Sequence, residues 1–425
     1  MKNQQPDRKK GPEIKEIRSI VLPEIEAIDL GGGTAVHCLP TDCAPVVRME
    51  IVIDAGRLKE DFPLQSRAAA ALLKDGSKKY SREEISSIAD RSGGVISIHA
   101  GLEFASIQLH CLESELQPLL DIIKDILLHP TYSEKSLRKY IRRKKNRLRE
   151  DLSINQVLAY RVLTERLFGK DHPYGYNSTE EMYDLLTTDT LKSFHRKHYL
   201  TGNMSVFLSC QQPHRVLKQL KAVWKDLPAG KTPDRQFHLA PAPGGRHDVK
   251  AVNYNQASIR LGKNLFPRNH VDFAGIYFVN TMLGGYFGSR LNREIRERQG
   301  LTYNVFSTIE TFKTAGFFLA GCETSILNSE RVLDLIQLEI ERLRKGLIMP
   351  GEIHMVRNYL FGFLISMLDG PINTIELYNV LLTEGGGPAS FDQMIKTFRE
   401  TDEEEVVRLA KKYLTEEDMQ AVIVH

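Results

Sequence analysis

Across residues 94–114 apolar and polar side chains alternate around a turn at Ala100 and Gly101, the period-two pattern of a hairpin with one buried face. The apolar positions then move to helical spacing. Leu116–Leu128 predicts an apolar helix, and Pro130 and Ser133 open a second one running through Leu148. The same order returns further along the chain. Residues 303–324 read as two paired strands around 312–316, residues 329–345 as a helix, and Pro350 and Glu352 open another helix through about Leu364. Even Leu120-Asp121-Ile122-Ile123 has a counterpart in Leu333-Asp334-Leu335-Ile336, just after Cys111 and Cys322 end their strands.

A strand, hairpin and paired-helix order used twice predicts an α+β protein of two homologous domains, each a largely antiparallel sheet with helices packed on one face. Between the halves, residues 226–250 mix Pro228, Pro233, Pro241 and Pro243 with Gly230, Gly244 and Gly245. Proline removes backbone donors and glycine raises the entropic cost of ordering, so the stretch reads as an extended linker. The division is then a first domain over 17–225, a linker over 226–250 and a second domain over 251–425.

Composition narrows the classes. The 425 residues carry 57 basic and 54 acidic side chains, a net charge of +3, which gives no strong field for nucleic acid or an anionic membrane. The cysteines, Cys38, Cys43, Cys111, Cys210 and Cys322, are odd in number and form no C-x-x-C pair, as expected in a reducing compartment. Residues 1–16 are polar, without the apolar core of a signal peptide or anchor, and no later apolar run is long enough to span a bilayer. The expectation is a cytoplasmic protein with a short frayed tail ahead of Ile17.

The strongest local signal begins at Met282. It reads Leu283-Gly284-Gly285-Tyr286-Phe287-Gly288-Ser289-Arg290-Leu291, then Arg293-Glu294-Ile295-Arg296-Glu297-Arg298-Gln299-Gly300-Leu301-Thr302-Tyr303. This resembles the C-terminal-half hallmark of the pitrilysin/insulinase zinc peptidases, in which a small-residue helix leads to an Arg and, seven residues on, a Tyr. Gly56, Gly76-Ser77, His172-Pro173-Tyr174-Gly175 and the two-domain repeat extend the resemblance over most of the chain. It implies that Arg296 and Tyr303 bind substrate, the Arg holding peptide carbonyls and the Tyr hydroxyl donating to the scissile carbonyl oxygen as it gains charge.

Catalytic members of that family carry an inverted zinc motif, H-x-x-E-H, on a helix ending four residues before a Gly-Thr or Gly-Ser. Counting back from Gly76-Ser77, the matching positions here are Arg67-Ala68-Ala69-Ala70-Ala71. Arg67, Ala70 and Ala71 thus stand where a ligand, a general base and a second ligand are needed, and none has a lone pair to offer a metal. The family's third ligand falls within residues 142–147, a run of cations interrupted by Asn146. The resemblance therefore implies no metal on this chain and a homologous, zinc-bearing peptidase subunit as partner. Peptide or unfolded polypeptide is the implied substrate, added as a strand on a sheet edge. The glycine-rich loop of the mitochondrial processing peptidase is not extended at Gly284-Gly285, which favours a bacterial-type pair.

Plainer readings stand beside these. Arg296 can pair with Glu294 or Glu297 on a surface, with Tyr303 half-buried in a strand. The alanines make a close-packing helix, and residues 135–149 make an amphipathic one with a solvated basic face, Leu137, Tyr140, Ile141 and Leu148 recurring on its other side. His195 and His198, three apart, lack an accompanying carboxylate and read as structural or surface residues. The alternative function is a non-enzymatic scaffold or peptide-binding homodimer of the same fold.

Overall fold

The computed structural model describes residues 17, 19–42, 44–239, 243–250 and 256–425; the tail ahead of Ile17, Cys43 and Pro241 fall outside them. In the first half, β1 (Glu26–Gly31), β2 (Thr34–Pro40), β3 (Val46–Ile53), β4 (Val95–Ala100), β5 (Ala105–Leu112) and β6 (Met204–Cys210) form a sheet in the order β1-β2-β6-β3-β5-β4. In the second, β7 (Gly245–Val249), β8 (Ala257–Leu265), β9 (Val305–Thr311), β10 (Gly316–Thr324) and β11 (Gln420–Val424) form a sheet in the order β7-β11-β8-β10-β9. The run β6-β3-β5-β4 corresponds strand for strand to β11-β8-β10-β9. Each sheet has a single parallel pair, β2 with β6 and β7 with β11, at the same place in the order. The duplication read from the sequence thus extends to five strands of each sheet, β1 alone lacking a counterpart.

The helices follow the same plan. The first half holds α1 (Gln65–Leu72), α2 (Arg82–Arg91), α3 (Leu116–Leu128), α4 (Glu134–Leu152), α5 (Asn155–Phe168), α6 (Glu180–Asp184), α7 (Thr188–His198) and α8 (Pro213–Trp224). The second holds α9 (Phe273–Asn280), α10 (Ser329–Arg344), α11 (Glu352–Ser366), α12 (Gly370–Thr383), α13 (Gly387–Glu400) and α14 (Glu403–Tyr413). Local chemistry fixes the starts: Ser133 accepts the Ser136 amide at 3.2 Å to open α4, and Ser81 with Glu84 builds a reciprocal capping box on α2. One face of each sheet packs on its own helices. Ile51, Ile107, Leu120 and Ile123 are fully buried in the first core, and Ile259, Phe318, Ile336 and Leu409 in the second. Each such side chain contributes roughly 1.5–3 kcal/mol of transfer free energy.

The opposite face of each sheet is closed by a helix from the other half. Ala159, Leu163 and Leu167 of α5 pack against Phe317 and Leu319 of β10 and Val422 and Val424 of β11. Gly262 on β8 permits this approach: a Cβ there would lie 2.9 Å from a Leu163 methyl and 3.0 Å from the Phe318 carbonyl oxygen. Reciprocally, Ile375 and Tyr378 of α12 pack on Val52 and Phe207 of the first sheet. Polar contacts follow the same seam. The Glu103 carboxylate accepts the Tyr174 hydroxyl at 2.5 Å and the Lys313 amide at 2.7 Å, while the Lys313 ammonium sits 3.0 Å from Asp54.

Two segments differ from the division read in the sequence. Residues 245–249, inside the stretch read as linker, form β7, because β11 offers them a parallel backbone partner. Ile20, assigned to the first domain, is buried in the core of the second, and the Tyr378 hydroxyl donates to the Pro23 carbonyl just beyond it. No single helix among the described residues is long and apolar enough to cross a membrane. The α11–α12 pair has the composition but bends by 108° and buries Val356, Leu360, Ile375 and Leu377 inside the fold.

Candidate functional site

The helix that would bear a zinc motif is set by the residues just before it. The Glu60 carboxylate accepts the amides of Leu64 at 3.2 Å and Ser66 at 2.9 Å, and the hydroxyls of Ser66 and Tyr176 at 2.6 Å each. Two of these four bonds satisfy amides at the start of α1 that have no intrahelical partner, and the two hydroxyls fix the carboxylate in place. Along α1, Ala68, Ala69 and Ala70 are buried, while Ala71 is exposed and Arg67 partly so. Arg67 and Ala71 are one turn apart and so share the outer side of the helix.

The fold brings this helix to the place where the third ligand is expected. Arg67 lies close enough to α4 to act on Tyr140 and Lys144: burial, then the charges of Arg143 and Arg67, hold the Lys144 ammonium below the ordinary lysine range. Tyr140 is buried, its hydroxyl pushed up by that burial, and the Lys144 nitrogen lies 5.7 Å from its ring centre. Positive charge thus gathers where the resemblance would put a divalent cation. No group of three His, Cys, Asp or Glu side chains among the described residues is arranged to hold a metal. Arg67, Ala70 and Ala71 do not fit zinc, because a guanidinium and two methyl groups repel or ignore it.

The rest of the basic run is the solvated face of an amphipathic helix. Leu137, Tyr140 and Leu148 are buried, and outward cations are matched by acids, Arg149 to Glu180 at 2.5 Å and Lys145 to Asp184 at 2.7 Å. His195 and His198 of α7 are both buried. His195 stacks on Tyr199 with ring centres 4.4 Å apart, and burial pushes its imidazole down to about 3. Burial, reinforced by Lys197 and Lys59, pushes His198 down to about 4. Both are neutral core residues.

The motif of the second half is more elaborately held. Gly284 passes so close to β9 that a Cβ would meet the Ser307 amide nitrogen at 2.5 Å, which accounts for the first small residue of the motif. Arg290 is buried and forms a two-pronged pair with Glu352 at 2.7 and 2.5 Å, tying the motif to the first turn of α11. The Asn292 side-chain amide donates to the carbonyls of Val305 and Tyr286 at 3.1 and 3.2 Å. Residues Asn292–Arg298 form a π-helical turn, with the Gln299 amide reaching the Glu294 carbonyl at 3.1 Å. Such widened turns concentrate at functional sites. Here Ile295 stays in the core while the Arg296 guanidinium lies 4.2 Å from the centre of the Phe287 ring.

Arg296 makes no ion pair among the described residues. Glu294 is taken by Arg298 at 3.1 Å and by Gln299 at 3.2 Å. Tyr303 is 98% exposed, in a bend just before β9 and not half-buried in a strand. Its neighbours are pinned, since the Thr324 hydroxyl donates to the Leu301 carbonyl at 2.7 Å and that of Thr302 to the Glu323 carbonyl at 2.6 Å. A fixed backbone therefore presents a phenol to solvent. Reading the sequence misses Arg290 and Phe287 as parts of this site; the Ser-Arg-Leu step contains the first, and the second carries no signal beyond its place in the motif.

Comparison with known proteins agrees with this geometry. Residues 186–360 match the family described as Peptidase M16 inactive domain. An uncharacterized zinc protease of Streptomyces coelicolor is 26% identical over 70% of this chain and 67% of its own. Another, from Bacillus subtilis, is 22% identical over 82% and 85%. A protein of Helicobacter pylori named non-peptidase homolog YmxG is 22% identical over 77% and 76%. The crystal structure of a peptidase M16 inactive domain from Pseudomonas fluorescens superposes with a TM-score of 0.88 at 22% identity, covering 95% of this chain and 98% of that one. A protease from Helicobacter pylori gives 0.86 at 17%, over 95% and 100%. With its duplicated fold and its motif in place, the chain is similar to the M16 peptidases, and residues 186–360 match that family's inactive domain.

Proposed function

We propose that the chain is the zinc-free, substrate-binding subunit of a zinc endopeptidase heterodimer. The observation that carries this reading is the pairing of a fully presented Tyr303 with an Arg296 that makes no ion pair among the described residues, in a chain whose own metal positions are Arg67, Ala70 and Ala71. On this reading the Tyr303 hydroxyl donates to the scissile carbonyl oxygen as negative charge develops there, and the Arg296 guanidinium holds main-chain carbonyls of the peptide. The partner is a homologous chain with an intact H-x-x-E-H, which holds the zinc. Peptide adds to an edge strand such as β4 or β9. The free thiols of Cys38, Cys111, Cys210 and Cys322 support a reducing, cytoplasmic setting, and the unextended loop at Gly284-Gly285 supports a bacterial-type pair.

A second reading, a non-enzymatic scaffold or peptide-binding homodimer, is favoured by the name of the Helicobacter relative. Reconstituting this chain with a homologous H-x-x-E-H chain from the same genome, and following cleavage of an unfolded fluorogenic peptide, separates the two. Tyr303→Phe is expected to lower turnover about 100-fold, the cost of removing one oxyanion donor. Arg296→Ala is expected to raise KM as well. Unchanged turnover in both variants supports the scaffold. Stoichiometric zinc and chelator-sensitive cleavage by this chain alone would overturn both.

A further inference from the structure

Where α1 packs against α4, the ground between them holds more positive charge than its own acids balance. Arg67 and Lys144 are partly buried there, and Arg143 is exposed. All three are close together, since the charges of Arg143 and Arg67 add to burial in holding the Lys144 ammonium down. Arg67 also acts on Arg57, which burial holds below the ordinary arginine range. Arg57 is itself buried, its guanidinium 4.0 Å from the centre of the Tyr176 ring. It donates to the carbonyls of Pro173 and Tyr176 at 2.9 and 3.1 Å, and its Nε has no partner. None of these four cations makes an ion pair among the described residues.

The acids nearby are already committed. Glu60 accepts its four bonds at the start of α1. Asp151, the acid that acts on Lys144, pairs with Arg147 at 2.9 Å, and Glu150 lies 3.7 Å from the same arginine. Asp184 and Glu180 hold Lys145 and Arg149. Water balances an exposed cation such as Arg142, but partly buried cations beside like charges are disfavoured until an anion joins them. Arg67, Arg143 and Lys144 together exceed the charge of one carboxylate, so a chain end or a single acid leaves the ground unbalanced. We propose that this ground binds the acidic side chains of an extended peptide, two Glu or Asp residues meeting Arg67, Arg143 and Lys144. The guanidiniums offer forked donors and the ammonium a point charge. The proposal deepens the substrate-binding reading above and rests on it for peptide as the occupant.

The test uses the full-length chain alone, without partner or turnover. Rhodamine-labelled, unstructured peptides with amidated ends and Glu-Ala-Glu or Gln-Ala-Gln centres are titrated by fluorescence anisotropy. The Glu-Ala-Glu peptide is expected to bind at least about tenfold more tightly, and added salt should shrink the difference. Arg67→Gln with Lys144→Gln should erase that preference, whereas Arg142→Gln, which removes an exposed cation of the same helix, should keep it. Should the double variant fail to fold, Lys144→Gln alone carries the test, with an expected loss of about threefold. The Glu-Ala-Glu peptide should also raise the melting temperature of the unaltered chain and not that of the double variant. Equal binding of the two peptides overturns the proposal. So does an equal loss in Arg142→Gln, since the charge would then act as a diffuse field of the whole helix. A Gln-Ala-Gln peptide with a free C-terminal carboxylate that binds as tightly as Glu-Ala-Glu overturns it as well, because the occupant would be a chain end. Loss of turnover in Tyr303→Phe without any preference for acidic peptide sinks only this site. The reverse pattern sinks only the catalytic-subunit reading.

Discussion

The two halves share one topology and differ in where they put charge. In the first, the ground between α1 and α4 gathers Arg67, Arg143 and Lys144 with burial enough to depress the lysine. In the second, Tyr286 stacks on Tyr359 beside the motif, and of the motif's four arginines Arg296 lies over the Phe287 ring. The scaffold is thus indifferent to chemistry. Ala68 and Ala69 fill the core side of α1 whatever stands at Arg67 and Ala71, so the two ligand positions can change without disturbing the sheet beneath. What the fold does enforce is the crossing of helices between halves, and there the halves are again unequal.

That inequality sets the largest expected effect. Leu163→Ala, in the broad cluster where α5 meets β10 and β11, is expected to cost about 3–5 kcal/mol in chemical denaturation, against about 2–3 kcal/mol for Ile375→Ala in the smaller cluster under α12. A larger loss at Ile375 would reverse the asymmetry. Next comes the metal ground. Arg67→His, Ala70→Glu and Ala71→His together should bind zinc poorly while Lys144 remains, and adding Lys144→Glu should tighten binding more than tenfold, upwards of about 1.4 kcal/mol by calorimetry. Equal affinities would show that α4 does not face the restored ligands.

A smaller effect is expected from α7, whose counterpart α14 has no histidine. His195 titrates at about 3 in the folded chain against an ordinary 6.5, so between those values the unfolded chain binds more protons than the folded one. Stability supplied by the neutral ring is complete above pH 6.5 and is lost as pH falls towards 3, each unit being worth roughly 1.4 kcal/mol. His195→Phe should flatten the melting temperature across that window; an unaltered acid limb would assign it to other groups. The smallest effect is expected at α2, which opens with a capping box while its duplicate is π-helical. Ser81→Ala should cost about 1 kcal/mol and leave the motif of the second half untouched.

Much of this architecture is legible in the amino-acid sequence. The hairpin 94–114 and the helices after it can be read because their periods are local, and Leu116–Leu128 has the bounds its apolar spacing assigns. The motif at Met282–Tyr303 stands out because close backbone approach at Gly284 leaves little freedom of residue choice. What escapes depends on partners distant in sequence. β11 completes the second sheet from the far end of the chain, and β7 becomes a strand only because β11 lies beside it. Arg290 is visible as part of a pattern, but its buried partner Glu352 belongs to another helix. The exposure of Tyr303 follows from a bend that strand periodicity does not reveal.

The exchange of α5 and α12 bears on how the protein can be taken apart. Each half borrows the lid of its sheet from the other, so a fragment ending at the linker would present Phe317, Leu319 and Val422, or Val52 and Phe207, to water. A protease cut within residues 231–239 should therefore leave two pieces that elute together and melt as one, and neither piece should persist when produced alone.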